Sequence, residues 1–386
     1  MNDLSDQNRN TGLVMMGGGA RAAYQVGVLK AIAEMIPADA PCPFSILCGT
    51  SAGAINAAAL GANAIIYKKA VNRLLAIWEN FHVEQVYRAD LWSMLKTSTR
   101  WLATLTAGGL GKHNPVSLLN RTPLQKLLTA HLNIENIQGA IDSGILRAIS
   151  ITASGYTSGQ SVTFYQGHDT IRPWIRARRV GCKTELKIDH LMASSAIPIV
   201  FEPVRINREY FGDGSMRQVA PVSAALHLGA EKVLVIGNRF DNTGHTQKRV
   251  HVDEPPSIAQ IAGHVLSSIF LDALETDMER LERINKTVSL IPQNVLEQNG
   301  IMLKKIETLY VSPSEDIDTI ARKHVHHLPR SVRSLLKGIG GYRKEGSSLI
   351  SYLLFEKPYC CELIELGYHD TMQQKAAVQH LLNLPV

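Results

Sequence analysis

Over the first 240 residues, short apolar runs alternate with stretches in which apolar residues recur at helical spacing. Leu13–Met16 reads as a short strand, followed by the loop Gly17-Gly18-Gly19. Ala20–Ile36 then carries Tyr24, Val28, Ile32 and Met35 on one helical stripe. Phe44–Cys48 reads as a second strand, and Ala52–Ile66 as a helix unusually rich in alanine. Ile145–Ala153 and Ser161–Tyr165 read as strands joined through Thr157-Ser158-Gly159. Val204–Ile206 and Glu209–Phe211 read as a hairpin turning at Asn207-Arg208. Pro221 opens a helix that Gly229 closes, because proline suits a first helical turn and glycine the residue past the last. Lys232–Gly237 is a further strand. Alternation of this kind predicts an α/β fold: a mainly parallel sheet with helices on both faces.

Two regions depart from that rhythm. Residues 68–132 read as helices with no strand between them, with Leu91, Met94, Leu95, Trp101, Leu102 and Leu105 on one stripe. After Pro255-Pro256 comes a helical run to about Asn285, then strand-like Thr287–Ile291 and Thr308–Val311. From Pro313 the pattern is helical to the end. The domain organisation expected is a polar tail over 1–11, one domain over 12–313 with a helical insertion at about 68–132, and a helical C-terminal extension over 314–386. No internal repeat or low-complexity tract stands out.

Composition narrows the class. Of 386 residues, 45% are hydrophobic and 19% charged, enough apolar surface to offset the entropy of ordering. The net charge of +6 is compatible with an anionic membrane surface or a nucleic acid and decides neither. No run of 18 apolar residues occurs, since Ala52–Ile66 is broken by Asn56 and Asn63, so no membrane-spanning helix is expected. Met1–Gly12 lacks the apolar stretch of a signal peptide. Five cysteines without zinc-type spacing, two of them the adjacent Cys360 and Cys361, argue against a disulfide framework or a structural metal. A reduced, cytoplasmic chain is expected.

Three segments carry candidate chemistry. Gly49-Thr50-Ser51-Ala52-Gly53 lies between a predicted strand and a predicted helix, where G-x-S-x-G forms a tight turn that lifts a serine hydroxyl above the sheet edge. The alternative is a glycine-rich turn with an inert serine. Gly17-Gly18-Gly19-Ala20-Arg21 also joins strand to helix, and its successive N–H groups suit an anion, such as the oxyanion of acyl transfer. With Ala22 it also fits a relaxed dinucleotide fingerprint. That reading lacks its acidic residue, because the second strand ends in Cys48-Gly49-Thr50-Ser51 and Asp39 precedes it. Gly212-Asp213-Gly214-Ser215 follows the hairpin and is either a plain Asp-Gly turn or the rigid seat of a base for the serine.

Together these segments resemble the patatin-like phospholipase family, from about Leu13 to Gly237 and more faintly to Ser312. Ala193-Ser194-Ser195-Ala196-Ile197-Pro198, followed by Phe201 and Pro203, is similar to the family's segment before its aspartate. The resemblance implies a three-layer α/β/α sheet and a Ser–Asp dyad without histidine. Ser51 would attack an ester carbonyl and Asp213 would take its proton. Gly17, Gly18, Gly19 and Ala20 would form the oxyanion hole, and Gly49, Thr50, Ala52 and Gly53 the turn around the nucleophile. It implies a lipid or acyl-ester substrate, no cofactor, no metal and no nucleic acid, and leaves a peripheral membrane contact and a homo-oligomer open. Two positions depart from the family pattern: Ser215, whose hydroxyl competes for a hydrogen bond to Asp213, and Ala22 in place of the last loop glycine.

Several readings stay open at this level. His190, His227 or His264 would extend the pair to a triad, each being also an ordinary surface or core histidine. Arg21 either steadies the glycine loop or meets a lipid phosphate, or else pairs with a carboxylate. The stretch 89–107, with Trp92 and Trp101, is a lid or interfacial anchor, or core packing. Arg330, Arg333, Lys337, Arg343 and Lys344 touch anionic headgroups, face solvent or meet a second copy. His324, His326 and His327 share no fixed spacing with a carboxylate or cysteine and read as a loop. Beside the hydrolase stands a degenerate lipid- or acyl-binding protein on the same fold, motivated by Ser215 and the helical tail.

Overall fold

The structure, a computed structural model, describes residues 10–88, 117–240, 258–301, 303–338 and 347–385. The 89–107 stripe, with Arg343 and Lys344, lies outside the described residues. The first strands are β1 (Thr11–Met15), β2 (Ile46–Thr50), β3 (Ala148–Gly155), β4 (Ser161–Gly167) and β5 (Trp174–Arg176). The others are β6 (Arg179–Lys183), β7 (Val204–Ile206), β8 (Glu209–Asp213), β9 (Lys232–Ile236) and β10 (Glu307–Val311). They form one sheet in the order β10-β9-β1-β2-β3-β4-β6-β5, with β8 also on β3 and β7 on β8.

From β10 to β3 every pairing is parallel, as the strand–helix rhythm predicts. Beyond β3 the sheet is mixed: β4, β8, β7 and β5 each pair antiparallel with a neighbour. The reason is connection length. Residues 156–160 are too few to return a parallel strand, so β4 runs back along β3. Two strands, β5 and β6, had no sequence signal. They are short and carry one arginine each, and β5 is an edge, where charged side chains discourage pairing with another chain.

One expectation is corrected. Thr287–Ile291 is not a strand: the helix Ile258–Ser289 runs through it into a turn. The β-branched residues there suggested extended chain. Leu274, Leu281 and Val288 nevertheless recur every seven residues and are all buried, so the helical stripe prevails over local propensity.

The sheet is covered on both faces. Leu13, Met15, Leu47, Leu234 and Ile236 point into one apolar core, and their neighbours Val14, Met16, Ile46, Cys48, Val233 and Val235 into the other. Helices α1 (Ala23–Met35), α2 (Ala52–Gly61), α3 (Tyr67–Trp78), α4 (Thr122–His131) and α5 (Ile188–Ser194) contribute to the first. The helix α6 (Ile258–Ser289) contributes to the second. The helix α7 (Lys357–Gln373) returns to the first core, where Tyr359, Leu363 and Ile364 join Leu29 and Ile32. Among the described residues no helix is long and apolar enough to cross a membrane.

Contact between α1 and α7 depends on two glycines. A Cβ on Gly27 would lie 1.9 Å from Ile364 O, and one on Gly367 would lie 2.1 Å from Tyr24 O. Tyr24 Oη also donates to Asp370 Oδ2 at 2.9 Å across the same contact. Gly27→Ala is therefore expected to lower stability by about 2 kcal/mol or more, through forced separation of two packed helices. Gly139, in the helix Asn136–Asp142, has nothing within 4 Å of an added Cβ. Gly139→Ala is expected to be neutral or to gain up to about 1 kcal/mol from helix propensity. Denaturation of both variants beside the parent chain checks the contrast.

Candidate active site

Ser51 and Asp213 meet because two strands share one edge of β3. One edge is occupied along its length by β4, from Ala148 to Ser154. On the other, β2 runs as far as Thr50 opposite Thr152 and then turns up into α2. β8 arrives antiparallel just beyond that point, with Asp213 opposite Ala153. The Ser51 hydroxyl donates to Asp213 Oδ2 at 2.6 Å.

The turn that carries Ser51 is strained and tightly packed. Ser51 has φ 55° and ψ −127°, a backbone region that residues with a Cβ seldom occupy outside functional turns. A Cβ on Gly49 would lie 2.4 Å from Ala54 Cα, and one on Gly53 would lie 2.3 Å from Met15 O. Those glycines let α2 cross directly over β1 and β2. Ser51 N–H donates to Ser194 Oγ at 2.8 Å, and that hydroxyl donates to Thr152 O at 2.6 Å. The last turn of α5 thus ties the turn at Ser51 to β3.

Asp213 is fully buried. Its Oδ1 accepts the Ser215 N–H at 2.9 Å, and its own N–H donates to Ala196 O at 2.8 Å. Burial pushes its carboxyl up to about 6; the Ser51 hydroxyl, Ser215 and the charge of Arg121 act in the opposite direction. Arg121 is itself buried, its guanidinium donating to Met192 O and, at 2.6 Å, to Glu202 O. Burial lowers its pKa to about 10.

The glycine loop flanks the same space. Gly19 shares a cavity with Ser51 and has φ +55°. A Cβ there would lie 2.3 Å from Tyr352 O. Asn238, just past β9, donates its side-chain amide to Gly17 O and so holds the loop. Among the described residues, the N–H groups of Gly18, Gly19 and Ala20 have no protein acceptor. They are available to an anion.

From Ser51 the cavity runs along α2, whose Ala52, Ile55 and Ala59 face it at spacings of three and four, to Asn63 in the turn beyond. That stretch of chain spans about 18 Å at helical rise. Leu74, Ile77 and Trp78 of α3 and Leu124, Leu127 and Leu128 of α4 form further walls. Ile197 and Phe201 line it too, as do Tyr352, Leu353 and Phe355 from the C-terminal region. The lining is apolar except near Ser51 and at the far end, where Asn63, Arg73 and His131 lie.

Residues 13–226 match the family model for patatin-like phospholipases. The chain belongs to that family. A cGAMP-activated phospholipase of Pseudomonas aeruginosa (strain BWHPSA011 / Pa011) is 27% identical over 216 residues, 56% of this chain and 55% of that protein. The chain therefore spans about half the length of this curated relative. The crystal structure of VipD from Legionella pneumophila is also similar, at 14% identity and a TM-score of 0.34, over 97% of this chain and 67% of that one.

In this member of the family the histidines stand apart from the pair. Among the described residues, no histidine is hydrogen-bonded to Ser51 or Asp213. His190 Nδ1 accepts from Lys187 N–H, and its ring packs on Phe164. His227 stacks on Trp174, and burial with Arg176 and Arg179 nearby lowers its pKa to about 4. His264 is exposed on α6. His324, His326 and His327 form no metal cluster, as no group of three ligating residues occurs among the described residues. Arg21 is buried and pairs with Asp318 at 2.5 Å, while its Nε donates to Ser351 Oγ at 2.9 Å. That is the carboxylate-pairing alternative weighed for it.

Four contributors had no assigned role from sequence. Ser194 was visible only as part of the Ala193–Pro198 segment. Asn238 follows a parallel strand, and the C-terminal ends of such strands are where sites collect. Arg121 and Tyr352 had no signal, since each reaches the site from a region without a motif.

The buried carboxylate has a cost that pH exposes. The folded pKa of Asp213, about 6, exceeds its ordinary 3.8. A raised carboxyl favours the folded state at low pH, and that advantage is lost as pH rises from 3.8 through about 6. Asp213→Asn is therefore expected to be more stable than the parent at about pH 8, by up to about 3 kcal/mol, with the difference fading near pH 4. Urea denaturation at the two pH values checks this. An equal loss of stability at both would contradict it.

Proposed function

We propose that this protein is a serine acyl hydrolase that cleaves lipid esters through Ser51 and Asp213. The observation that carries the reading is the 2.6 Å hydrogen bond from Ser51 Oγ to a buried carboxylate at the head of an apolar cavity. An ionised Asp213 has a single task with respect to Ser51, which is to accept its proton as Oγ attacks.

Ser51 Oγ adds to the ester carbonyl while its proton passes to Asp213 Oδ2. The carbonyl oxygen becomes an oxyanion, held by the free amides of Gly18, Gly19 and Ala20 and favoured by the N-terminus of α2. The Ser51 amide is committed to Ser194 and takes no part. Collapse of the intermediate expels the alcohol, which takes the proton from Asp213, and leaves the acyl group on Ser51. Asp213 then accepts a proton from water, whose oxygen attacks the acyl ester. The acid leaves as Ser51 Oγ regains the proton. A pKa of about 6 suits both transfers near neutrality, because the carboxylate is ionised yet more basic than an exposed one.

The apolar cavity supports an acyl chain as the part of the substrate it receives. A binding protein without turnover draws on one observation: Ser51 is only 2% exposed, so an ester reaches it only through the cavity. The two readings separate on Ser51→Ala and Asp213→Asn. For a hydrolase, each is expected to lose about 10³-fold or more in kcat on p-nitrophenyl butyrate and on phospholipid in mixed micelles. A fluorophosphonate is expected to label Ser51 of the parent chain. Turnover unchanged by Ser51→Ala would remove that residue from the chemistry. Absence of both turnover and labelling in the parent would favour the binder.

A further inference from the structure

At the end of the cavity away from Ser51, where the lining residues Arg73 and His131 are exposed, the turn between α2 and α3 carries two adjacent isoleucines at the surface. Cys42 N–H donates to Ala64 O at 2.8 Å and Tyr67 N–H donates to Ala40 O at 2.9 Å, so the turn is pinned at both ends. Between those bonds, Ile65 is 63% and Ile66 36% exposed. The pinned turn thus holds two adjacent isoleucines at the surface, Ile65 mostly in water and Ile66 about one third so.

The charged residues that follow this turn along α3 are basic. Lys68 and Lys69 are exposed on the first turn of α3. Arg73 follows and donates to the Asn63 side chain, and both residues line the cavity. Lys126 and His131 lie on α4, which forms a further wall. No aspartate or glutamate occurs between Ser51 and Trp78, or between Ser117 and Ile134. Asp39, next to Ala40, is exposed and brings one carboxylate to the same region. Exposed β-branched side chains beside several cations, at the end of an apolar cavity, match an anionic lipid surface in both charge and polarity.

We infer that the α2–α3 turn is the surface through which this protein docks on an anionic lipid layer. Ile65 and Ile66 enter the headgroup region, and Lys68, Lys69 and Arg73 sit against its phosphates. The outer end of the cavity then faces lipid rather than water, and an acyl chain leaves the layer along α2 toward Ser51. The docking deepens the hydrolase reading by naming the source of the substrate, but binding itself does not require hydrolysis.

The test is co-sedimentation of the full chain with vesicles of phosphatidylcholine, alone or mixed with phosphatidylglycerol, at low and high salt. The parent chain and Ser51→Ala are expected to bind the anionic vesicles equally, to bind phosphatidylcholine weakly, and to release at high salt. Lys68→Gln with Lys69→Gln is expected to weaken binding by about 25-fold, each cation being worth roughly a factor of five at such a surface. Ile65→Ser with Ile66→Ser is expected to weaken it at least about tenfold. Both double variants are expected to keep the parent's turnover of p-nitrophenyl butyrate, which reports folding and an intact site. Ile65→Trp supplies a second readout: its added emission is expected to shift blue on anionic vesicles and to be quenched by brominated chains. Parent-like vesicle binding by either double variant, or equal binding to both lipid compositions, would overturn the inference. So would a dimer in light scattering that the isoleucine variant dissolves while vesicles are ignored. Loss of p-nitrophenyl butyrate turnover in the parent itself would count against the hydrolase reading and leave the docking result standing.

Discussion

A strand with two partners on one edge is the constraint behind this site. β3 gives one side to β4 and divides the other between β2 and β8. Because β2 stops at Thr50 and β8 ends opposite Ala153, a serine and an aspartate far apart in sequence become neighbours with little freedom to separate. The turns must then be exceptionally tight. A Cβ on Gly214 would lie 2.0 Å from Thr152 O, so the chain after Asp213 passes against β3 with no room for a side chain. Gly49 and Gly53 serve the same end on the other side of the pair.

Such closeness buries charge and stores strain. The carboxylate has lost its water, so its pKa rises, and Ser51 stays in an unfavourable backbone region because Ser194, Thr152 and the helix packing hold it. The C-terminal region takes part in the same rigidity. Tyr352 presses on Gly19, Arg21 is clamped by Asp318 and Ser351, and α7 lies directly on α1. The helices after Pro313 therefore share the core of the sheet that precedes them and contribute walls to the cavity.

What the sequence made legible follows from these demands. Glycines at 49, 53 and 214 are visible because nothing else fits, and they flank the very residues that meet. The parallel half of the sheet was legible because buried strands separated by helices leave long apolar runs. The antiparallel half was not: β5 and β6 carry arginines instead of a period, and their pairing is decided by loop length. Thr287–Ile291 misled because β-branched residues suggest extended chain locally, while a seven-residue stripe reaching back to Leu274 decides the outcome. Arg121 and Tyr352 were invisible for a different reason. Each acts through a backbone contact made at long range, and no residue type announces that. Ser215 was visible as a departure; its amide donates to Asp213 Oδ1, and amide and hydroxyl alike favour the ionised carboxylate.

The account stands on a serine proton that moves to a carboxylate whose affinity for it is set by burial. The rate of Ser51 modification by a fluorophosphonate, followed across pH in the parent chain, measures that affinity at the reacting atom. The account requires a single rise with a midpoint near 6, the value burial gives Asp213. A rate that does not change across that range, or one that rises only near the pKa of an ordinary exposed carboxyl, would contradict it.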